Sequence, residues 1–370
     1  MNFYLKIDIC IIVLCLFCYN LKKVSFSFGK IQFNRNKNDY SNRFIFLFIS
    51  GLMMILVTGL RNNMETDYLT YQFYYENYIS QIDLHQILKE REPLFALLEK
   101  IIGEITNYNT VIFMCVLAAI TVCVLWCFFA RESDAVWLCI LVTLTIGSYY
   151  TCFNTTRNYM ASILFVYLVK YIYKNKPFRY AAGILVVSQI HTATLAMLPM
   201  YWLLKTDWKN IHKRPIVIGM IFSYAAVFFG LKKFLYYINF PYYYLFDYSG
   251  FTRTSWVSLI RPAIFLLPVL IYRRKFDMHN LQHRVWFNSA VGFFLIQMLS
   301  TQYYIIYRFT YYMIPIAVTA MIYAVKSADR QTNRVLWFSM ILLFALLWNI
   351  AGQFTLGYSF YWQENIIYTG

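Results

Sequence analysis

TVIFMCVLAAITVCVLWCFFARESDAVWLCILVTLTIGSYY, residues 110–150, holds two apolar runs separated by Arg131, Glu132 and Asp134. The first, 111–129, carries no charge. At about 1.5 Å of rise per residue, a helix of that length crosses most of the roughly 30 Å hydrocarbon core of a bilayer. The second run, 135–150, is expected to cross back, with the charged triplet as a tight turn on the inner side. Runs of the same kind recur at 44–60, 158–173, 216–231, 285–301 and 335–350.

Composition agrees with that pattern from end to end. Hydrophobic residues make up 60% of the 370 positions and charged residues only 14%, a balance that a water-soluble domain does not reach. A net charge of +16 would suggest nucleic acid in a soluble protein, but here Lys and Arg gather in short connecting loops, as the positive-inside rule requires. The run from Phe3 to Tyr19 lacks a small-residue cleavage site and meets Lys22 and Lys23 at once, so it reads as a retained first span. The eight cysteines lie mostly inside spans with no paired spacing, and small apolar filler is the simplest reading of them.

Loop charge gives an expected topology. The basic stretch 20–43 belongs inside, which places the amino terminus outside and the region 61–108, rich in Asp and Glu, outside as an external loop. Within that loop, LHQILKEREPLFALLEKIIGEI has apolar residues at helical spacing and predicts interfacial helices broken at Pro93. Two basic clusters, Lys170 to Arg179 and Lys205 to Arg214, both belong inside with only 180–204 between them. A broken helix or hairpin turning near His191 reconciles them; one full span with a misassigned basic loop is the alternative. The expected fold is all-α: a single polytopic integral membrane domain over 1–370, with about 11–12 transmembrane helices and an external Tyr-rich loop at 235–257.

On this topology Arg61, Arg157, Arg253, Arg261 and Arg308 fall on the outer side. An arginine beside hydrocarbon is costly unless it snorkels, pairs or lines a wet cavity, and a snorkelling anchor is the simpler reading of any single one. Convergence of Arg61, Arg157 and Arg308 on one ligand would suit a phosphate or diphosphate, which the forked guanidinium matches. Asn154 and Thr156 beside Arg157 add polar donors at a helix start. His191 is a candidate proton acceptor, with a hydrogen-bonded structural histidine as the competing reading. Asp67 and Glu92 are external carboxylates that could accept a hydroxyl proton, or simply solvated loop charges. Tyr243 and Tyr244, with Arg253 nearby, offer ring faces and hydroxyl edges compatible with a sugar. No metal-ligand, nucleotide-binding or nucleophile-elbow pattern occurs, so neither metal nor cofactor is expected.

Five segments in order resemble the EpsG family, a branch of the Wzy-like polymerases of exopolysaccharide, capsule and O-antigen. They are GLRNNMETDYLTYQFYY (59–75), EPLFALLEKII (92–102), TTRNYMASILFVYLVKYIY (155–173), QIHTATLAMLPMYWLL (189–204) and YRFTYYMIP (307–315). The family's common arginine-glycine pair reads Arg157-Asn158 here, which keeps the arginine and changes its neighbour. The resemblance implies a GT-C-like fold in the bacterial cytoplasmic (inner) membrane with an active site facing outward. It implies transfer of a polyprenyl-diphosphate-linked (undecaprenyl-type) glycan chain onto the next lipid-linked repeat unit, and a chain-length-regulating membrane protein as a partner. An O-antigen ligase differs from this only in acceptor. A lipid-linked oligosaccharide flippase or other transporter would place charge along a path to both faces, and a membrane acyltransferase gives no reason for the outer arginines.

Overall fold

The computed structural model describes residues 3–21, 35–62, 67–207, 256–301, 303–328 and 331–350, with residues 360 and 362. Among them the chain is helical, and the one bridge is an isolated antiparallel pair between Arg61 and Phe360. Two helices, Thr110–Glu132 and Tyr304–Lys326, are long and apolar enough to cross a membrane, and four shorter apolar helices accompany them. Span 216–231 and most of the Tyr-rich loop, including Tyr243, Tyr244 and Arg253, lie outside the described residues.

The chain divides into two compact units, each described by itself. The first comprises Met1–Tyr167, Ala182–Leu195 and Ser339–Gly370; the second comprises Leu168–Ala181 and Ala196–Phe338.

In the first unit, α1 (Phe3–Leu21) and α2 (Arg35–Gly59) pack together, and α2 lies along the later helix at 110–132. The region 61–108 supplies α3 (Tyr68–Phe73), a π-helical turn (Tyr74–Ile79), α4 (Leu84–Ile87) and α5 (Pro93–Thr106). Pro93 opens α5 instead of breaking it, because the first helical position needs no backbone N–H and the ring presets φ. α5 ends at Asn107 in the left-handed region with φ 52°, and Tyr108 N–H returns to the Gly103 carbonyl at 2.9 Å. A side chain at Gly103 would collide with the Tyr108 ring folded over it.

α6 (Thr110–Glu132) starts where the Asn109 side chain accepts the Ile112 N–H at 3.1 Å. It meets α2 closely at Gly59, where an added Cβ would come within 2.7 Å of the Cys115 backbone. Trp126 Nε1 also donates to Ser50 Oγ across this contact at 3.0 Å. The expected span 135–150 is shorter in the structure: α7 (Val136–Thr145) stops ten residues in. Thr143 and Thr145 return their hydroxyls to the carbonyls of Cys139 and Leu141, and Gly147 turns the chain at φ 72° into a 3₁₀ turn at Tyr150–Phe153. That turn delivers α8 (Thr156–Tyr173), whose first turn carries Arg157.

The helix break expected near His191 is present. α9 (Pro177–Ser188) ends before Gln189, and a 3₁₀ turn (Thr192–Met197) and the short α10 (Met200–Leu203) follow.

In the second unit, α11 (Ile260–Ile271), α12 (Leu281–Ser300) and α13 (Thr310–Lys326) pack on one another. α13 is buried on nearly every face, as expected of a helix that is apolar all round. Asn288 of α12 donates to the Leu204 and Thr206 carbonyls at 2.8 and 2.9 Å, which satisfies the end of α10. α14 (Gln331–Ile350) begins in this unit and ends in the first.

A candidate active site at Glu92, His191 and Arg157

Glu92 precedes α5 yet does not cap it with its side chain, which leaves the carboxylate free for other partners. The backbone at the helix break does the capping. Leu94 and Phe95 N–H both reach the Gln189 carbonyl, at 3.1 and 3.3 Å, and use donors that the first turn of a helix leaves unpaired. Glu92 returns the contact: its Oε1 accepts from Thr192 N–H at 2.9 Å and Thr192 Oγ1 at 3.3 Å. The break at 189–191 and the start of α5 therefore hold each other, and His191 is fixed by both.

His191 Nδ1 lies 2.9 Å from the same Oε1, and Arg157 Nη1 lies 3.1 Å from Oε2. One carboxylate thus joins a histidine and an arginine far apart in sequence. Burial works against the charge of Glu92. The bonds from His191 and Thr192 and the positive charges of His191 and Arg157 outweigh it, and hold the carboxyl at about 2 against an ordinary 4.5. The stability this contributes is complete above pH 4.5 and is lost as pH falls through about 2, so the clamp is intact at any physiological pH.

A carboxylate that remains ionised accepts a proton poorly and orients a neighbour well. With Glu92 as acceptor, Nδ1 of His191 carries the proton and Nε2 keeps its lone pair; among the described residues Nε2 has no hydrogen-bond partner. The His191 side chain is 22% exposed and that of Arg157 is 38% exposed, so both reach the surface of this unit while Glu92 sits behind them.

Arg157 is shaped by aromatic rings. Its guanidinium lies 5.2 Å from the Phe95 ring centre and 5.5 Å from that of Tyr71, and its backbone N–H donates to Tyr71 Oη at 3.3 Å. Asn154 Oδ1 accepts the Asp67 N–H at 3.2 Å, which ties the start of α3 to the turn before α8. Tyr71, whose N–H returns to the Asp67 carbonyl at 3.0 Å, connects that pair to Arg157, and Glu92 connects Arg157 to His191.

Arg61, expected to face a diphosphate, is fully enclosed. Its guanidinium donates to the Thr58 carbonyl at the end of α2, to the Phe153 carbonyl and Thr156 Oγ1 at 3.4 Å each, and touches Met114 Sδ. The Tyr68 and Phe153 rings complete the enclosure, and Nε has no hydrogen-bond partner among the described residues. A cation at a helix C-terminus is favourable, and here it also locks the turn that leads to Arg157. Thr156 is equally engaged, since its hydroxyl donates to the Cys152 carbonyl at 2.8 Å. Both Arg61→Lys and Arg61→Ala are expected to lower folded yield and thermal midpoint: lysine cannot reach the same acceptors, alanine leaves the buried carbonyls of Thr58 and Phe153 without this donor, and a buried polar group left unpaired costs about 1 to 3 kcal/mol. Fluorescence-detected size exclusion after heating measures this. Unchanged midpoints with lost diphosphate binding would instead make Arg61 a ligand-binding group.

Arg308 and Arg261 belong to the second unit. Arg308 ends the 3₁₀ turn Tyr304–Phe309, where the Tyr304 and Tyr307 rings stack at 5.9 Å. Arg261 is 2% exposed, donates to Tyr307 Oη at 2.8 Å and lies 5.8 Å from the Phe293 ring centre.

Glu99 was not singled out by sequence. It lies seven residues after Glu92, on the buried stripe of α5 with Phe95 and Ile102, and is 1% exposed with no hydrogen-bond partner at either oxygen among the described residues. The signal was its spacing, since i and i+7 share a helix face.

A helical protein with long apolar helices and, in its first unit, a histidine and an arginine held by one carboxylate defines the class only broadly. The EpsG family profile matches residues 44–361, and the chain belongs to the EpsG family. Membership makes this a membrane protein of exopolysaccharide biosynthesis that acts on lipid-linked saccharides. No curated protein and no solved structure matched the chain.

Proposed function

We propose that this protein is a polysaccharide polymerase: a multi-pass, GT-C-like enzyme of the cytoplasmic membrane whose outward-facing site transfers a glycan chain from polyprenyl diphosphate to the next lipid-linked repeat unit. The observation that carries the reading is the Glu92 carboxylate joined at once to His191 Nδ1 and Arg157 Nη1. A base for the attacking hydroxyl and a cation for the leaving diphosphate are the two groups such a displacement needs.

In this reading His191 Nε2 accepts the proton of the acceptor hydroxyl as its oxygen bonds to the anomeric carbon, and the bond from that carbon to the diphosphate oxygen breaks. Glu92 orients the imidazole and stabilises the imidazolium. Arg157 meets the charge developing on the diphosphate. Arg61 and Thr156 position the turn that carries Arg157. Asp67 and Asn154 meet the acceptor in this reading, and the Asp67 N–H bonded to Asn154 Oδ1 supports treating them as a pair.

The test is chain extension by the purified protein in nanodiscs, starting from a polyprenyl-diphosphate repeat unit. Products with a ladder of added repeats are expected. Transfer of a single preformed chain to a lipid-A-type acceptor without a ladder would make the protein a ligase, and transbilayer movement without any new glycosidic bond would make it a flippase.

A further inference from the structure

Glu99 sits in an apolar seam. On one side Phe95 and Ile102 of α5 pack with Tyr68, Tyr75, Phe113, Met114, Leu117 and Met160. On the other, Ala96 packs with Ile79, Ile82 and Ile87. A buried carboxyl with no partner at either oxygen is rare in folded proteins and asks for an explanation. The residues around it supply one. Arg157 bonds Glu92 and covers Phe95, and Glu99 lies one turn beyond Phe95 on the buried stripe of α5, close enough for the guanidinium to favour its ionisation.

We propose that Glu99 sets the alkaline limit of anion capture at Arg157: as a neutral carboxyl it leaves the guanidinium to an incoming diphosphate, and as a carboxylate it engages the guanidinium and repels the anion. The proposal rests on the polymerase reading only in assigning Arg157 to the diphosphate.

The charges facing Glu99 come from every side. Arg157 on α8 favours its ionisation, Glu90 and Glu92 ahead of α5 oppose it, and Tyr74 and Tyr75 of the π-helical turn lie close enough to feel its charge. Lys100, the adjacent cation, is turned to the Ile79 and Ser80 carbonyls and to Glu104. Burial dominates and raises the Glu99 carboxyl to about 8. It therefore holds its proton at neutral pH and releases it as pH rises through that value.

The experiment measures binding of a short prenyl diphosphate to the full chain in phosphatidylcholine nanodiscs between pH 7 and 10. The probe's own charge is constant there, because a phosphate's second ionisation lies near pH 6. In the wild type the dissociation constant is expected to rise about tenfold per pH unit above 8. Glu99→Gln, which cannot ionise, should flatten that rise, and Glu99→Leu serves the same purpose should the amide fold poorly. A flat wild-type profile, or the same alkaline loss in a folded Glu99 variant, overturns the proposal. Absence of binding by folded wild-type protein at every pH overturns the assignment of Arg157 to a diphosphate, and with it the polymerase reading.

Discussion

His191→Ala is expected to slow chain extension by about a hundred- to ten-thousandfold, the usual contribution of a positioned general base, while the protein remains folded and inserted. The imidazole is partly exposed and its loss leaves no large cavity, so folding tolerates the change better than catalysis does. Glu92→Gln should approach the same loss by another route. The amide can donate to Nδ1 where the carboxylate could only accept, which permits the tautomer with its proton on Nε2, the nitrogen that must accept. The two substitutions act on one unit, so the double variant should be little slower than either alone. Initial rates with matched amounts of monodisperse protein decide it. A His191→Ala protein that extends chains at the wild-type rate would reduce the histidine to a helix-break fastener.

The joining of three groups at one carboxylate is the part of this arrangement that the sequence concealed. His191, Arg157 and Glu92 each stood out locally: a histidine at a helix break, an arginine at a span end and a glutamate before Pro93. Their union depends on the Gln189 carbonyl meeting the first turn of α5, a contact between segments about a hundred residues apart that no local pattern encodes. The same limit explains Arg61. Sequence places it at the end of an apolar run, where snorkelling and ligand binding look alike; only packing with Phe153, Met114 and Tyr68 shows the guanidinium turned inward. Helix positions were more legible, because hydrophobic runs and Pro93 carry them directly. The early end of α7 was not, since Thr143 and Thr145 count as ordinary residues in an apolar run until their hydroxyls turn back to the backbone.

Arg157→Lys is the sharper test of the leaving-group assignment, because lysine keeps the charge and discards the fork. The guanidinium reaches Glu92 through Nη1 and retains further donors for an anion, a division of labour that a single ammonium cannot reproduce. A charge-assisted hydrogen bond contributes roughly 1.5 to 3 kcal/mol, so losing one that is made in the transition state should slow transfer by about ten- to a hundredfold. The loss should appear in kcat and kcat/KM together, since developing charge on the diphosphate is what the fork meets. Combining Arg157→Lys with Glu92→Gln separates the two roles of the arginine. If Arg157 acts only by holding Glu92, the double variant is no slower than Glu92→Gln alone. If it meets the diphosphate directly, its cost persists in the absence of the carboxylate. Wild-type rates in folded Arg157→Lys protein would leave the diphosphate without the cation assigned to it and sink the leaving-group role of this arginine.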